Sequence, residues 1–189
     1  MDDRSFFDID DEVELTPFEV EFLADLRSMV EGRLLPYCAD SGVDMLLLVL
    51  DVDAPDVALI NVGLELRGNR LRGDRISVHD RTFPPSPTVD GFLVEGTADE
   101  LASRGYALLH TYWRRPVVKH EWLHRGRVYA HCHILADTGE RLSQMYRSDW
   151  APRRQEARLV AAGFVRGKGW IQTEGLGAPD RVTLVRGHS

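Results

Sequence analysis

A chain of 189 residues, 43% of them hydrophobic, has the size of one ordinary globular domain that buries roughly two-thirds of its unfolded surface without staples. Its two cysteines, Cys38 and Cys132, form no C-x-x-C or Cys/His pattern, which excludes a disulfide framework and a zinc knuckle and fits a reducing cytoplasm. The net charge of −7 hides a gradient: ten carboxylates face one arginine in residues 1–25, thirteen acids face seven bases in 26–100, and seven acids face fifteen bases in 101–189.

The start is acidic where a signal peptide would be basic and then apolar, and the longest apolar run, Met45 to Leu50, is far short of the ~20 residues a membrane helix needs, so neither secretion nor a membrane role is expected. Of the bases only Lys119 and Lys168 are lysine, a bias that fits a GC-rich bacterial genome.

Residues 1–14 read as an acidic flexible arm and 15–189 as a single α+β domain. "TPFE" opens a helix: Thr16 caps, Pro17 suits the first turn and Glu19 closes a capping box. Phe22, Leu23, Leu26, Met29, Val30 and Leu34 form its apolar stripe, and Pro36 ends it. "DMLLLVLDVD", "DVALINVGLEL" and "RGNRLRGDRISVHD" then predict three strands of an antiparallel meander. In "LLLVLDVDAPD", Asp51 and Asp53 resemble the D-x-D strand end of the haloacid dehalogenase phosphatases, which would imply a nucleophilic Asp51 on a doubly wound sheet. Ala54 and Pro55 stand where that family has glycine and threonine, and no lysine lies in a matching context.

"RTFPPSPTVDG" is a proline loop. A second capping box, Thr97 to Glu100, opens a helix to about Trp113 with Leu101, Leu108, Leu109 and Tyr112 on one face. "HEWLHRGRVYAHCHI" (120–134) is a hairpin holding four of the seven histidines. "DTGERLSQMYRS" adds a strand and "SDWAPRRQEARLVAAG" a short helix ended by Gly163, and the tail holds two short strands. The fold expected is α+β, a largely antiparallel sheet with about three helices on one face. Two pseudo-equivalent lobes divided in the loop 81–96 are the alternative.

The hairpin register decides what the histidines can do. A two-residue Arg125-Gly126 turn would gather His120, His131 and His133 on one face, but demands positive φ of Arg125. A three-residue loop from His124 to Gly126 demands it only of Gly126, and is the register expected here. Val118, His120, Trp122, Val128, Ala130, Cys132 and Ile134 then face the core. Lys119, Glu121, Tyr129, His131 and His133 take the other face, with Lys119 opposite His131.

Glu121, His131 and His133 are therefore the candidate acid/base residues of a small enzyme, or the ligands of a divalent metal, although Lys119 opposes a cation and no cofactor is favoured. The leading expectation lies elsewhere, in the interleaved basic and aromatic residues Trp113, Arg114, Arg115, Tyr129, Trp150, Arg153, Arg154 and Trp170. Arginine forks grip anions and aromatic rings stack on planar ligands. A cytoplasmic binding or accessory protein is expected, recognising a nucleic acid, a nucleotide or an acidic protein surface. An inhibitor or immunity-type protein, binding a basic partner through the acidic first half, is the third reading. The sequence fixes no oligomeric state.

Overall fold

The protein is described by a computed structural model over residues 14–30, 36–42, 45–54, 57–77 and 82–187. The expected acidic arm, apart from Glu14, lies outside the described residues. The fold is α+β with antiparallel pairing throughout, and it divides after Arg114 into two compact units. The proline loop lies inside the first unit.

In the first unit, helix α1 (Pro17–Val30) precedes strands β1 (Pro36–Gly42), β2 (Met45–Ala54), β3 (Val57–Arg67), β4 (Arg70–Ile76) and β5 (Phe92–Glu95), and helix α2 (Ala98–Arg114) completes it. The first capping box closes in both directions, and the second forms its Glu100 half while the Thr97 hydroxyl turns to Asp99. Thr16 N donates to Glu19 Oε2 at 2.8 Å and Glu19 N donates back to Thr16 Oγ1 at 3.3 Å, while Thr97 N donates to Glu100 Oε2 at 3.0 Å.

The five strands follow one another in sequence order, a meander with two strands more than the hydrophobic pattern predicted. The doubly wound sheet implied by the phosphatase resemblance is absent. β2 runs antiparallel to β1 and β3, and Asp51 accepts a hydrogen bond from Asn61 Nδ2.

Helices α1 and α2 pack on each other, and α2 lies over β2, β3 and β4. Gly105 sets that approach: a Cβ there would stand 2.8 Å from Leu64 Cδ1. The opposite face buries Leu47, Val49 and Ile76 beneath Phe83 of the proline loop. The run Leu46 to Leu50 is thus apolar at every position because both faces of β2 are covered. Asp74, fully buried, ties that loop down by accepting from Thr88 N at 2.7 Å, Thr88 Oγ1 at 2.5 Å and Arg75 N at 2.7 Å.

The second unit holds strands β6 (Val117–His124), β7 (Arg127–Leu135) and β8 (Arg141–Tyr146), helix α3 (Gln155–Ala161), a short hairpin of β9 (Val165–Arg166) and β10 (Trp170–Ile171), a 3-10 turn (Thr173–Leu176) and strand β11 (Arg181–Arg186). Its main sheet has the order β11-β6-β7-β8. The three helices and mostly antiparallel sheets are those of the expected α+β fold, with α1 and α2 in the first unit and α3 in the second. No described helix is long and apolar enough to cross a membrane.

Candidate functional site

The histidine hairpin turns through two residues, Arg125 (φ 51°) and Gly126 (φ 77°), so that His124 pairs with Arg127. The expected three-residue loop is overturned, and Arg125 takes the left-handed conformation a tight turn requires. A bulge beside Trp122 then inserts one extra residue in β7, and beyond it Trp122 pairs with Ala130, Glu121 with His131, His120 with Cys132 and Lys119 with His133.

The bulge restores the face partition that the longer loop would have given. His120 stays apart from His131 and His133, on the side of Trp122, 6.3 Å from it between ring centroids. The partners change, however. Lys119 lies opposite His133 rather than His131, and Tyr129, the extra residue, joins the core cluster of Trp122, Ala130 and Cys132 instead of the histidine face.

On the polar face Glu121 is buried and binds two cations: Lys119 Nζ at 3.1 Å and Arg181 Nε at 2.5 Å. Hydrogen bonding from Arg181, aided by Lys119, holds its carboxyl below the usual carboxylate range despite its burial. Burial pushes His131 and His133 down; Lys119 adds to both shifts, His131 adds to that of His133, and Glu121 opposes both. The two rings meet edge-on at 5.6 Å, and His133 Nδ1 lies 2.8 Å from Ser143 Oγ.

The two imidazoles and the doubly paired carboxylate form one polar layer on this face. Among the described residues no three His, Cys, Asp or Glu side chains converge as a metal site would require. Arg181, which completes the carboxylate's pairing, carried no signal in the sequence because it lies 60 residues away on the last strand.

The arginine and aromatic candidates disperse. Trp113 and Arg114 end the first unit; Arg115 opens the second, where its Nε lies 3.0 Å from Asp137. Trp150 is covered by the guanidinium of Arg147, 4.0 Å from its ring centroid. Arg153 and Arg154 are exposed just before α3, and Trp170 is 72% exposed.

Trp170 stands at an open cleft of about 390 Å³, formed where edge strand β8 (Gln144, Met145, Tyr146) faces Glu156 of α3 and Lys168 of the β9–β10 turn. Gln144 fixes one wall, its side chain bonding Gln172 at 2.7 Å and accepting from Thr173 N at 3.0 Å. The Tyr146 hydroxyl is buried with no partner among the described residues, and burial, with Glu156 and Tyr129 adding, pushes its pKa up to about 12.

Such a cleft offers the Lys168 cation, the Trp170 indole face, the exposed Ser148 hydroxyl and the Glu156 carboxylate. Tyr146, Glu156 and Lys168 were not among the sequence candidates, although "RGKGW" already set Lys168 beside Trp170. Compared with known proteins, the chain matches no family, no curated protein and no solved structure.

Proposed function

We propose that this is a cytoplasmic binding protein that recognises a planar anionic ligand, of the nucleotide or nucleic-acid class, at the cleft between β8 and the β9–β10 hairpin. One observation carries the reading: Trp170, a large aromatic side chain 72% exposed, borders the same cleft as Lys168. Exposed tryptophans are costly to leave in water and serve as stacking platforms for bases. Lys168 supplies a point charge for a phosphate, while the exposed Ser148 hydroxyl can donate a hydrogen bond. Glu156 accepts an N–H and disfavours a second anionic group at its end, so the cleft suits a ligand with one anionic and one donor end. Arg153 and Arg154, exposed and without an ion pair among the described residues, extend the positive surface.

Calorimetric titration with mononucleotides, a single-stranded oligonucleotide and an acidic peptide tests the reading. Lys168→Gln should weaken binding of the preferred ligand by about tenfold, or ~1.4 kcal/mol, and Trp170→Ala by at least as much. A steep salt dependence would mark a polyanion and a shallow one a mononucleotide. Wild-type affinity in both variants would remove the cleft from consideration.

A second reading, a small enzyme working from Glu121, His131 and His133, is favoured by the 2.8 Å approach of His133 Nδ1 to Ser143 Oγ, a histidine within proton-transfer reach of a hydroxyl. Any hydrolytic activity that survives His131→Ala and His133→Ala would exclude it.

A further inference from the structure

The helix-free face of the first sheet carries a second feature, independent of the cleft just described. Across the β3–β4 turn Arg67 pairs directly with Arg70, and the next rung sets Glu65 opposite Arg72. On β5, Leu93 lies opposite Arg72 and Glu95 opposite Arg70. Like charges facing each other on one rung destabilise a sheet unless something of opposite sign lies between or beside them. Glu65 answers only part of that charge: its oxygens take Arg67 Nε at 3.0 Å and Nη2 at 3.4 Å.

Arg70 makes no ion pair among the described residues, with Glu95 or otherwise. Arg72 is held in place, its guanidinium 4.7 Å from the Phe83 ring centroid and its Nη2 donating to the Pro84 carbonyl, yet its Nε–H is buried with no acceptor among the described residues. A buried charged donor left unpaired is costly, and a ligand oxygen is the simplest acceptor for it. Glu65, Arg67, Arg70, Arg72 and Leu93 enclose a hollow of about 250 Å³.

We propose that this hollow is a binding site for a compact oxyanion, a phosphate or carboxylate group, held between the Arg70 guanidinium and the Arg72 Nε–H. Arg72 supplies a pre-positioned donor, Arg70 a flexible fork that closes over the anion, and Leu93 an apolar wall. Glu65 keeps Arg67 turned aside and repels ligands with excess negative charge.

The test is an NMR titration of the full chain at constant ionic strength, with inorganic phosphate in one arm and acetate in the other, following the arginine Nε–H resonances. The Arg72 signal should move saturably in at least one arm, which names the group the site prefers. Arg70 is exposed, so Arg70→Gln leaves the fold intact; it should weaken that titration by about tenfold while the control Arg127→Gln, on the other unit, leaves it unchanged. A shift of Arg72 that is absent or linear in both arms, or one that Arg70→Gln does not weaken, would overturn the assignment.

Discussion

Three histidines, His120, His131 and His133, are held below their ordinary pKa by burial, and Glu121 is held below its own by Arg181 and Lys119. All four shifts act in one direction on stability. Where the folded pKa is depressed, the unfolded chain binds more protons between the two values, so stability is present above the unfolded pKa and drains away as pH falls towards the folded one. The melting temperature should therefore drop steadily on acidification below about 6.5, the free histidine value, with a further fall below about 4.5 as Glu121 begins to protonate. His133→Asn should flatten the first of these falls in a thermal scan across pH; an equal slope in the variant would mean that the buried imidazoles are not its source. Much of this was legible at the level of residue type, since the cluster of histidines and the nearby carboxylate stand out in the chain. That the carboxylate is already spent was not, because Arg181 reaches it only through the pairing of β11 with β6.

The hairpin from Val117 to Leu135 shows how an element can present the expected faces by an unexpected route. Alternation of apolar and polar residues correctly separated His120 from His131 and His133. Turn length alone would have shifted that parity, and the bulge beside Trp122 shifted it back. A bulge leaves little trace in one strand's sequence because it is a property of the pair. Arg125 at φ 51° occupies a position that asparagine or glycine fills at lower cost. Arg125→Asn should accordingly stabilise the protein by about 0.5–1 kcal/mol, read as a higher melting temperature, and a lowered one would show that the arginine side chain contributes more than its backbone costs. The Thr16–Glu19 box and the Thr97–Glu100 contact were readable to the residue because each joins positions three apart. Strands β1 and β5 were not, since "PYCADSG" lacks β-branched residues and "FLVE" is only four residues long, so both depend on their neighbours for pairing.

For the whole molecule, the charge gradient along the chain falls close to the division of the fold. The second unit, from Arg115 onward, carries seven acids and thirteen bases, whereas residues 1–14 carry seven carboxylates against Arg4. An acidic segment tethered to a basic binding unit competes with any anionic ligand at high effective concentration. Removing residues 1–14 should tighten binding of an anionic ligand at low salt and change little at high salt, where the attraction is screened. Unchanged affinity at low salt would show that the arm does not compete. Six of the eight arginine and aromatic candidates read from the sequence lie in the second unit, and the pattern carried no sign of the cleft there. Of the eight candidates only Trp170 lines that cleft, while its companions Tyr146, Glu156 and Lys168 come from three separate elements that only folding brings together.

If Trp170 and Lys168 border a recognition site, the indole N–H resonances will report ligand there. The chain has four tryptophans, of which Trp122 donates to the Gly177 carbonyl at 3.2 Å and serves as a buried internal control. With the Trp170 signal assigned through Trp170→Phe, titration with a mononucleotide or a single-stranded oligonucleotide should move it saturably while Trp122 stays in place. A Trp170 resonance that remains fixed at millimolar concentrations of both, or that moves no more than Trp122, would mean that the cleft binds neither.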